Sequence, residues 1–389
     1  MRTVSLPVAY MPLVDAAPLI VAHEMGFDHA EGVSLDLHPA PSWSSLRDML
    51  AFGHVDAAHL LSPIPVATRL GLGGIATPLS AVSVLSLNGN VIGVGRRLEK
   101  LLRAQGYPFD FHDATAAGAA LARVADGPLV FGVPFPFSMH VELLRYWVEG
   151  TELASTQVEI RTVPPALMAR ALAAGEIDAF CVGEPWGSVS VDDQVGALLL
   201  PGRAIWSCAP EKVLAVRSEW ADTEPHLLGS LMRAVWRAGR WLSSAGSTTT
   251  AAEMLARKSY LNVSPELIDR ALSGAFAISS RGEQRRVDRF VEFHEGAATF
   301  PWRSQAKWIA RRLAERNGLD AVDAERRAAG VFRSDLYRRE LQGAGAELPG
   351  ASAKLEGANP HEDAVASAQG GLILPPNVFF DRRIFEPSE

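Results

Sequence analysis

Leu50-Ala51-Phe52-Gly53-His54-Val55-Asp56-Ala57-Ala58 returns later in the chain as Leu172-Ala173-Ala174-Gly175-Glu176-Ile177-Asp178-Ala179-Phe180. Each copy reads as the end of a helix, a glycine stop, and a strand that opens on Val or Ile followed by Asp and Ala. The echo implies two similarly built units. Around the first copy, Val4 to Tyr10 reads as a buried strand, Asp15 as a helix N-cap with Pro18 in the first turn, and Gly26 as the stop. Val33, Leu35 and Leu37 alternate with Ser34, Asp36 and His38, a strand period. A helix from about Ser44 to Phe52 and a strand from Val55 to Leu61 complete strand–helix–strand–helix–strand. That order predicts an α/β unit with a largely parallel sheet.

Around the second copy the same order holds. Leu129 to Pro134 reads as a strand and 138–149 as a helix, with Leu143, Leu144 and Trp147 at helical spacing. Val158 to Val163 is the next strand, 165–174 a helix and 178–182 a strand. An amphipathic helix is predicted over 227–242, with further helix at 250–257, 265–274 and 302–316. Gly and Ala make up about half of residues 343–371, which read as a mobile linker. The apolar run from Leu372 to Phe380 is expected to dock on the body or on a partner.

Composition bounds the function. A chain of 389 residues allows two or three domains at roughly 150 residues each. Thirty-seven basic against 44 acidic residues give a net charge of −7, a poor balance for direct nucleic-acid binding. Mean hydropathy is +0.08, and no apolar run is long enough to predict a membrane span. Pro7, Pro12, Pro18 and Asp15 interrupt any leader-like apolar run near Met1, so the protein is expected to be cytoplasmic. Two cysteines, Cys181 and Cys208, make neither a zinc site nor a disulfide framework. No phosphate loop, dinucleotide fingerprint, HExxH or GxSxG occurs, and the ten histidines are scattered. The expectation is a binding protein, not an enzyme, without cofactor or metal.

Four stretches carry a resemblance. They are Ser42-Trp43-Ser44-Ser45-Leu46-Arg47-Asp48; Ala58-His59-Leu60-Leu61-Ser62-Pro63-Ile64-Pro65; Ser138-Met139-His140 through Arg145-Tyr146-Trp147; and Phe180-Cys181-Val182-Gly183-Glu184-Pro185-Trp186 with Pro210-Glu211-Lys212-Val213-Leu214. Together they resemble the nitrate- and bicarbonate-binding proteins of ABC importers, the NrtA/CmpA family. Within that family the chain resembles the cytoplasmic nitrate/nitrite sensors of the NasS–NasT type. The resemblance implies a type II periplasmic-binding-protein fold, two α/β lobes closing on a ligand. Lobe I would comprise 1–90 and 208–342 and lobe II 93–203, with crossovers near 88–94 and 200–210, the linker 343–371 and a docking segment 372–389. It also implies that nitrate or nitrite binding releases a NasT-like RNA-binding antiterminator, with no membrane and no direct nucleic-acid contact. The alternatives are an importer subunit for nitrate, nitrite or bicarbonate, and an enzyme or sulfonate or pyrimidine binder on the same fold.

Nitrate is planar, singly charged and weakly hydrated, so it calls for a few N–H donors and one positive charge in a dry cleft. By resemblance the ligand residues are Trp43, Ser45, Asn90, His140 and Lys212. The Trp43 indole donates, and Ser44 and Ser45 stand at a helix start that favours an anion. Asn90 replaces the family's glutamine and is one methylene shorter; as a structural residue it belongs to the Asn88-Gly89 turn. His140 supplies a ring N–H, and Lys212 the main charge. Ser44, Pro63, Glu184, Pro185 and Trp186 are expected to shape the cleft, with Glu184 oriented to pair with Lys212 or His140.

Overall fold

Long buried runs and the helices between them divide the chain between two sheets. The computed structural model describes residues 3–388. The chain first lays down β1 (Val4–Tyr10), β2 (Val33–Pro39), β3 (Ala57–Leu61) and β4 (Leu79–Asn88). It then crosses over to build β5 (Asn90–Gly95), β6 (Leu129–Val133), β7 (Val158–Thr162), β8 (Ala179–Gly183) and β9 (Gly196–Pro201). It returns as β10 (Pro210–Arg217), and later adds β11 (Ala275–Ala277), β12 (Gln284–Arg286) and β13 (Val291–Glu292). The first sheet has the order β13-β4-β10-β3-β1-β2 and the second β7-β6-β8-β5-β9. Strands β1, β2 and β3 are parallel, as are β6, β7 and β8, whereas β10 and β5 run against their neighbours. The parallel strands of both lobes therefore end at the interlobe cleft, where ligands of open α/β sheets bind. No described helix is long and apolar enough to cross a membrane.

The turn between the lobes is tight. Asn88 adopts φ 57° and Gly89 φ 98°, and Asn90 begins β5 directly. A side chain at position 89 would be strained by that backbone and crowd Val291, so glycine suits it. Strands β4, β5, β9 and β10 escape alternation-based reading because each is buried on both faces.

Two regions depart from the expected division. The β11–β12 hairpin lies within 208–342 yet packs on lobe II. Phe276 meets Phe111 edge-on at 5.7 Å, the Leu198 N–H donates to the Ile278 carbonyl at 2.8 Å, and Arg103 grips Glu283 with both ends of its fork. An aromatic and an ion pair supplied by lobe II decide that placement, and neither leaves a trace in local periodicity.

The second is 343–371, which is anchored rather than a free tether. Ala346 and Leu348 are buried, Arg338 donates to the carbonyls of Pro349 and Ala351, and β14 (Asp363–Ser367) pairs with β15 (Gly370–Leu374). Glu356 is buried and satisfied by Ser304, Lys354 and Asn377. Glycine and alanine content reports how little side chain there is to pack; the anchors here are backbone carbonyls and one carboxylate.

Beyond it, residues 376–385 touch both lobes. Phe379 sits among Trp206, Tyr146 and Trp308, with ring centroids 4.9, 5.2 and 5.8 Å away. The Tyr146 hydroxyl donates to Asp381 at 2.9 Å, and Trp206 Nε1 to Asn377 at 2.8 Å. The helix Arg303–Asn317 adds Arg312–Glu149 at 2.6 Å and Arg316–Glu142 at 3.0 Å across to the lobe II helix Met139–Glu149. Phe379→Ala is expected to destabilise the protein by about 3–5 kcal/mol, the usual cost of an emptied aromatic site. Urea unfolding measures it, and a loss below about 1 kcal/mol would mean the tail is not part of the cooperative structure.

Candidate functional site

At the strand ends, two carboxylates, one ammonium, two imidazoles, an indole and a carboxamide face one another. Asp15, Trp43, His59, Asn90, His140, Glu211 and Lys212 are each 2 % exposed or less. Asp15 lies in the short 3-10 turn Val14–Ala16 after β1, and Trp43 opens the helix Trp43–Ala51 after β2. His59 stands in β3, and His140 in the first turn of the helix after β6. Asn90 opens β5, directly opposite Gly183 at the end of β8.

Neighbouring residues of a strand normally point to opposite faces. Glu211 and Lys212 both reach the cluster because β10 is irregular there. Its register with β4 shifts between Pro210 and Lys212 and again before Val213, and a bulge of this kind re-aims side chains.

Lys212 is the centre. Its Nζ lies 2.7 Å from Asp15 Oδ2 and 2.9 Å from Glu211 Oε1, and 5.6 Å from the centre of the Trp43 ring. The other Asp15 oxygen faces His59 Nε2 at 3.0 Å. His59 Nδ1 accepts from the Met11 N–H at 3.4 Å, which places the imidazole proton on Nε2, toward Asp15. Glu211 Oε2 accepts from Asn90 Nδ2 at 2.5 Å, and Oε1 lies 3.2 Å from His140 Nδ1. Among the described residues no set of His, Cys, Asp or Glu is arranged to hold a metal ion; the ammonium fills the space between the carboxylates.

The charge states follow from burial and partners. Burial pushes the Asp15 carboxyl up, but Lys212 and then His59 outweigh it and hold it at about 2. Glu211 is raised, burial outweighing Lys212. Burial would lower the Lys212 ammonium, yet Asp15 and Glu211 raise it. His140 falls well below its ordinary value through burial and the adjacent ammonium. The Cys181 thiol is driven well up by burial, then by Glu211, and is inert as a nucleophile.

An indole nitrogen and an imidazole nitrogen of this ring have no hydrogen-bond partner. Trp43 Nε1 is buried and unbonded, and so is His140 Nε2. A Cβ built at Gly183 would meet Leu13 Cδ2 at 3.3 Å and stand 3.8 Å from both His140 Nε2 and Asp15 Oδ2, so glycine leaves this edge of the ring uncovered. Orphaned buried polar atoms are costly and rare, and these two sit on opposite lobes.

Of the residues expected to bind ligand, Trp43, Asn90, His140 and Lys212 come together. Ser45 does not, since it spends its N–H on the Ser42 cap at 3.1 Å, and Ser44, expected to shape the cleft, is exposed. Pro63 is buried at the start of the helix after β3, where Ser62 Oγ donates to the Pro210 carbonyl. Glu184 was expected beside Lys212 or His140. Its carboxylate instead accepts from the Ser188 N–H at 3.1 Å, where burial raises it to about 7, and Glu211 holds the place intended for it. Its carbonyl accepts from the Val14 N–H at 2.9 Å across the cleft. Pro185 follows Glu184 through a cis peptide bond. Trp186 Nε1 donates to the Pro12 carbonyl at 3.1 Å, also across the cleft. Sequence reading missed Asp15 as a partner, since Asx-before-helix signals an N-cap, and missed His59 and Glu211 inside quoted motifs. A charged residue within an otherwise apolar strand was the available signal for both.

A family model described as the NMT1-like family matches residues 2–256. The nitrate import ATP-binding protein NrtC of Synechocystis sp. is 31% identical over 324 residues, covering 82% of this chain and 47% of that protein, so the chain spans about half of its length. The nitrate/nitrite binding protein NrtA of Nostoc sp. is 28% identical over 316 residues, covering 79% of this chain and 70% of that protein. The crystal structure of the periplasmic nitrate-binding protein NrtA from Synechocystis PCC 6803 superposes with a TM-score of 0.83 at 25% identity, covering 99% of this chain and 96% of that one. With the strand orders above, this is the type II periplasmic-binding-protein fold.

Asp15→Asn leaves the buried ammonium half-compensated and is expected to cost about 3–5 kcal/mol at pH 6. A carboxyl held at about 2, against an ordinary 3.8, contributes stability above pH 4 that is lost as pH falls toward 2. In the wild type roughly 1 kcal/mol of it is gone by pH 3. Urea unfolding at pH 6 and pH 3 should show the wild-type advantage narrowing; a gap that widens would contradict the pairing.

Proposed function

The chain belongs to the NMT1-like family, and on that premise we propose that it binds a small trigonal oxyanion, nitrate or nitrite, in the interlobe cleft. The observation that carries this is the pair of unpartnered buried nitrogens, the Trp43 indole N–H from lobe I and His140 Nε2 from lobe II, beside the Lys212 ammonium and the edge left bare by Gly183. An anion held by both lobes has more contacts when they are closed, so it shifts the population toward the closed form. A weakly hydrated anion loses little on entering so dry a site. The three relatives described above are named for nitrate or nitrite, which supports the same ligand. No residue in the cluster is set up for covalent chemistry, so the proposed activity is binding.

The use we propose for this closure is sensing. A cytoplasmic protein of this kind holds an RNA-binding antiterminator in its open form and releases it on closing over nitrate or nitrite. The acidic charge of −7 leaves RNA contact to the partner. Linkage then requires that ligand and partner weaken each other. The names of relatives, which speak of nitrate import, nitrate/nitrite binding and bicarbonate transport, favour a second reading, delivery of nitrate, nitrite or bicarbonate to a membrane importer.

Isothermal titration of the full chain with nitrate, nitrite and bicarbonate tests the ligand. Heat with nitrate or nitrite and none with bicarbonate is expected; bicarbonate alone would overturn the assignment. Trp43→Phe removes the indole donor while keeping the ring, and should raise Kd for nitrate by about 10- to 100-fold. It is a cleaner probe than Lys212→Ala, which strands two buried carboxylates. Co-precipitation of an antiterminator that survives nitrate unchanged would contradict sensing.

A further inference from the structure

A monovalent anion enters a place that already holds one ammonium against two carboxylates. With Asp15 and Glu211 ionised and both histidines neutral, the closed cluster carries a surplus negative charge before any ligand arrives. Adding nitrate there would put a second uncompensated negative charge in a volume closed to water and counterions.

The hydrogen inventory of His140 points the same way. Neutral imidazole carries one proton. If it sits on Nδ1, facing Glu211 Oε1 at 3.2 Å, then Nε2 turns a lone pair toward the anion. If it sits on Nε2, the anion gains a donor, but the Nδ1 lone pair faces a carboxylate oxygen. One added proton satisfies both His140 nitrogens and Glu211 Oε1, carried either by His140, as a donor at both nitrogens, or by Glu211, donating to Nδ1.

Resting on the proposed anion reading, we infer that the cleft takes up its anion together with one proton, held by the Glu211–His140 pair. Glu211 is thus a positioning residue that acts on the ligand through His140 and Lys212. The groups facing it are Lys212 on its own strand, Asn90 from β5, His140 from the lobe II helix, Cys181 in β8 and Asp15 from the 3-10 turn, with His59 from β3 behind Asp15. Asp15 is not the proton's home, because Lys212 and His59 hold it ionised. Burial favours the uncharged form of both Glu211 and His140, and the anion's own charge tips the pair toward accepting a proton. An anion that brings its own proton, as bicarbonate does, does not supply the unprotonated oxygen edge that this coupling answers, in keeping with the silence expected of bicarbonate.

The test is calorimetry of the full wild-type chain with nitrate at pH 8 in phosphate and in Tris, whose ionisation enthalpies differ. The observed heat should vary between the buffers with a slope of about one proton taken up per anion. Nitrate affinity should weaken about tenfold per pH unit above neutrality, the slope of a one-proton linkage. Glu211→Gln fixes a neutral side chain at that position and should bring both slopes toward zero. Nitrate binding with no buffer dependence and a flat pH profile in the wild type would overturn the coupling and leave the anion reading standing. Full proton uptake in a folded Glu211→Gln variant would overturn the assignment to this pair. No heat with nitrate or nitrite at any pH from 6 to 8.5 would remove the anion reading and the coupling with it. The wild-type measurement decides the first and last of these even if the variant does not fold.

Discussion

An ammonium withdrawn from water loses several kcal/mol of hydration and must recover it from charges at hydrogen-bond distance. Lys212 recovers it from Asp15 and Glu211, and those two contacts determine what surrounds them. Asp15 has to leave the helix that follows β1 and sit in a 3-10 turn instead. Glu211 has to share a face with its neighbour, which β10 permits only by breaking register with β4. His59 and Asn90 then occupy the carboxylate oxygens that Lys212 leaves free. The cluster is thus nearly complete within itself, and the nitrogens it leaves without a partner include those of Trp43 and His140.

The lobes are joined by more than the two strand crossings. The β11–β12 hairpin is given by the later part of the chain to lobe II, and Phe379 and Asp381 lie against residues of both lobes. Direct bonds from Val14 to Glu184 and from Trp186 to Pro12 span the cleft itself. These two bonds and the tail's contacts lie on different sides of the molecule, so the lobes are held to one another both at the cleft and at its back.

How far the sequence carried the reading can be traced residue by residue. The Gly-x-(Val/Ile)-Asp-Ala echo located β3 and β8, because a glycine stop followed by an apolar run is a local signal. Trp43, His140 and Lys212 were legible from motif resemblance. Asp15 was not, since its local context is that of a helix cap, and its true partner lies far away in sequence. Asn90 was weighed as turn or ligand residue; the turn belongs to Asn88 and Gly89, and Asn90 serves Glu211. Glu184 and Glu211 could not be told apart by residue type, and only the register break in β10 decides which one reaches the ammonium. The tail reads as a linker because its glycines and alanines offer little side chain to pack, whereas Arg338 holds it by backbone carbonyls and the single residue Glu356 by its carboxylate.

The segment from Pro376 to Phe385 is also the last described stretch of its size to join the body. Everything it touches, Tyr146, Trp206 and Trp308 among them, is synthesised before it. Domains fold in the order in which they are made, so the groove for Phe379 is built from residues that all precede the ring in synthesis, and the segment that ties the two lobes at their back is among the last to be added.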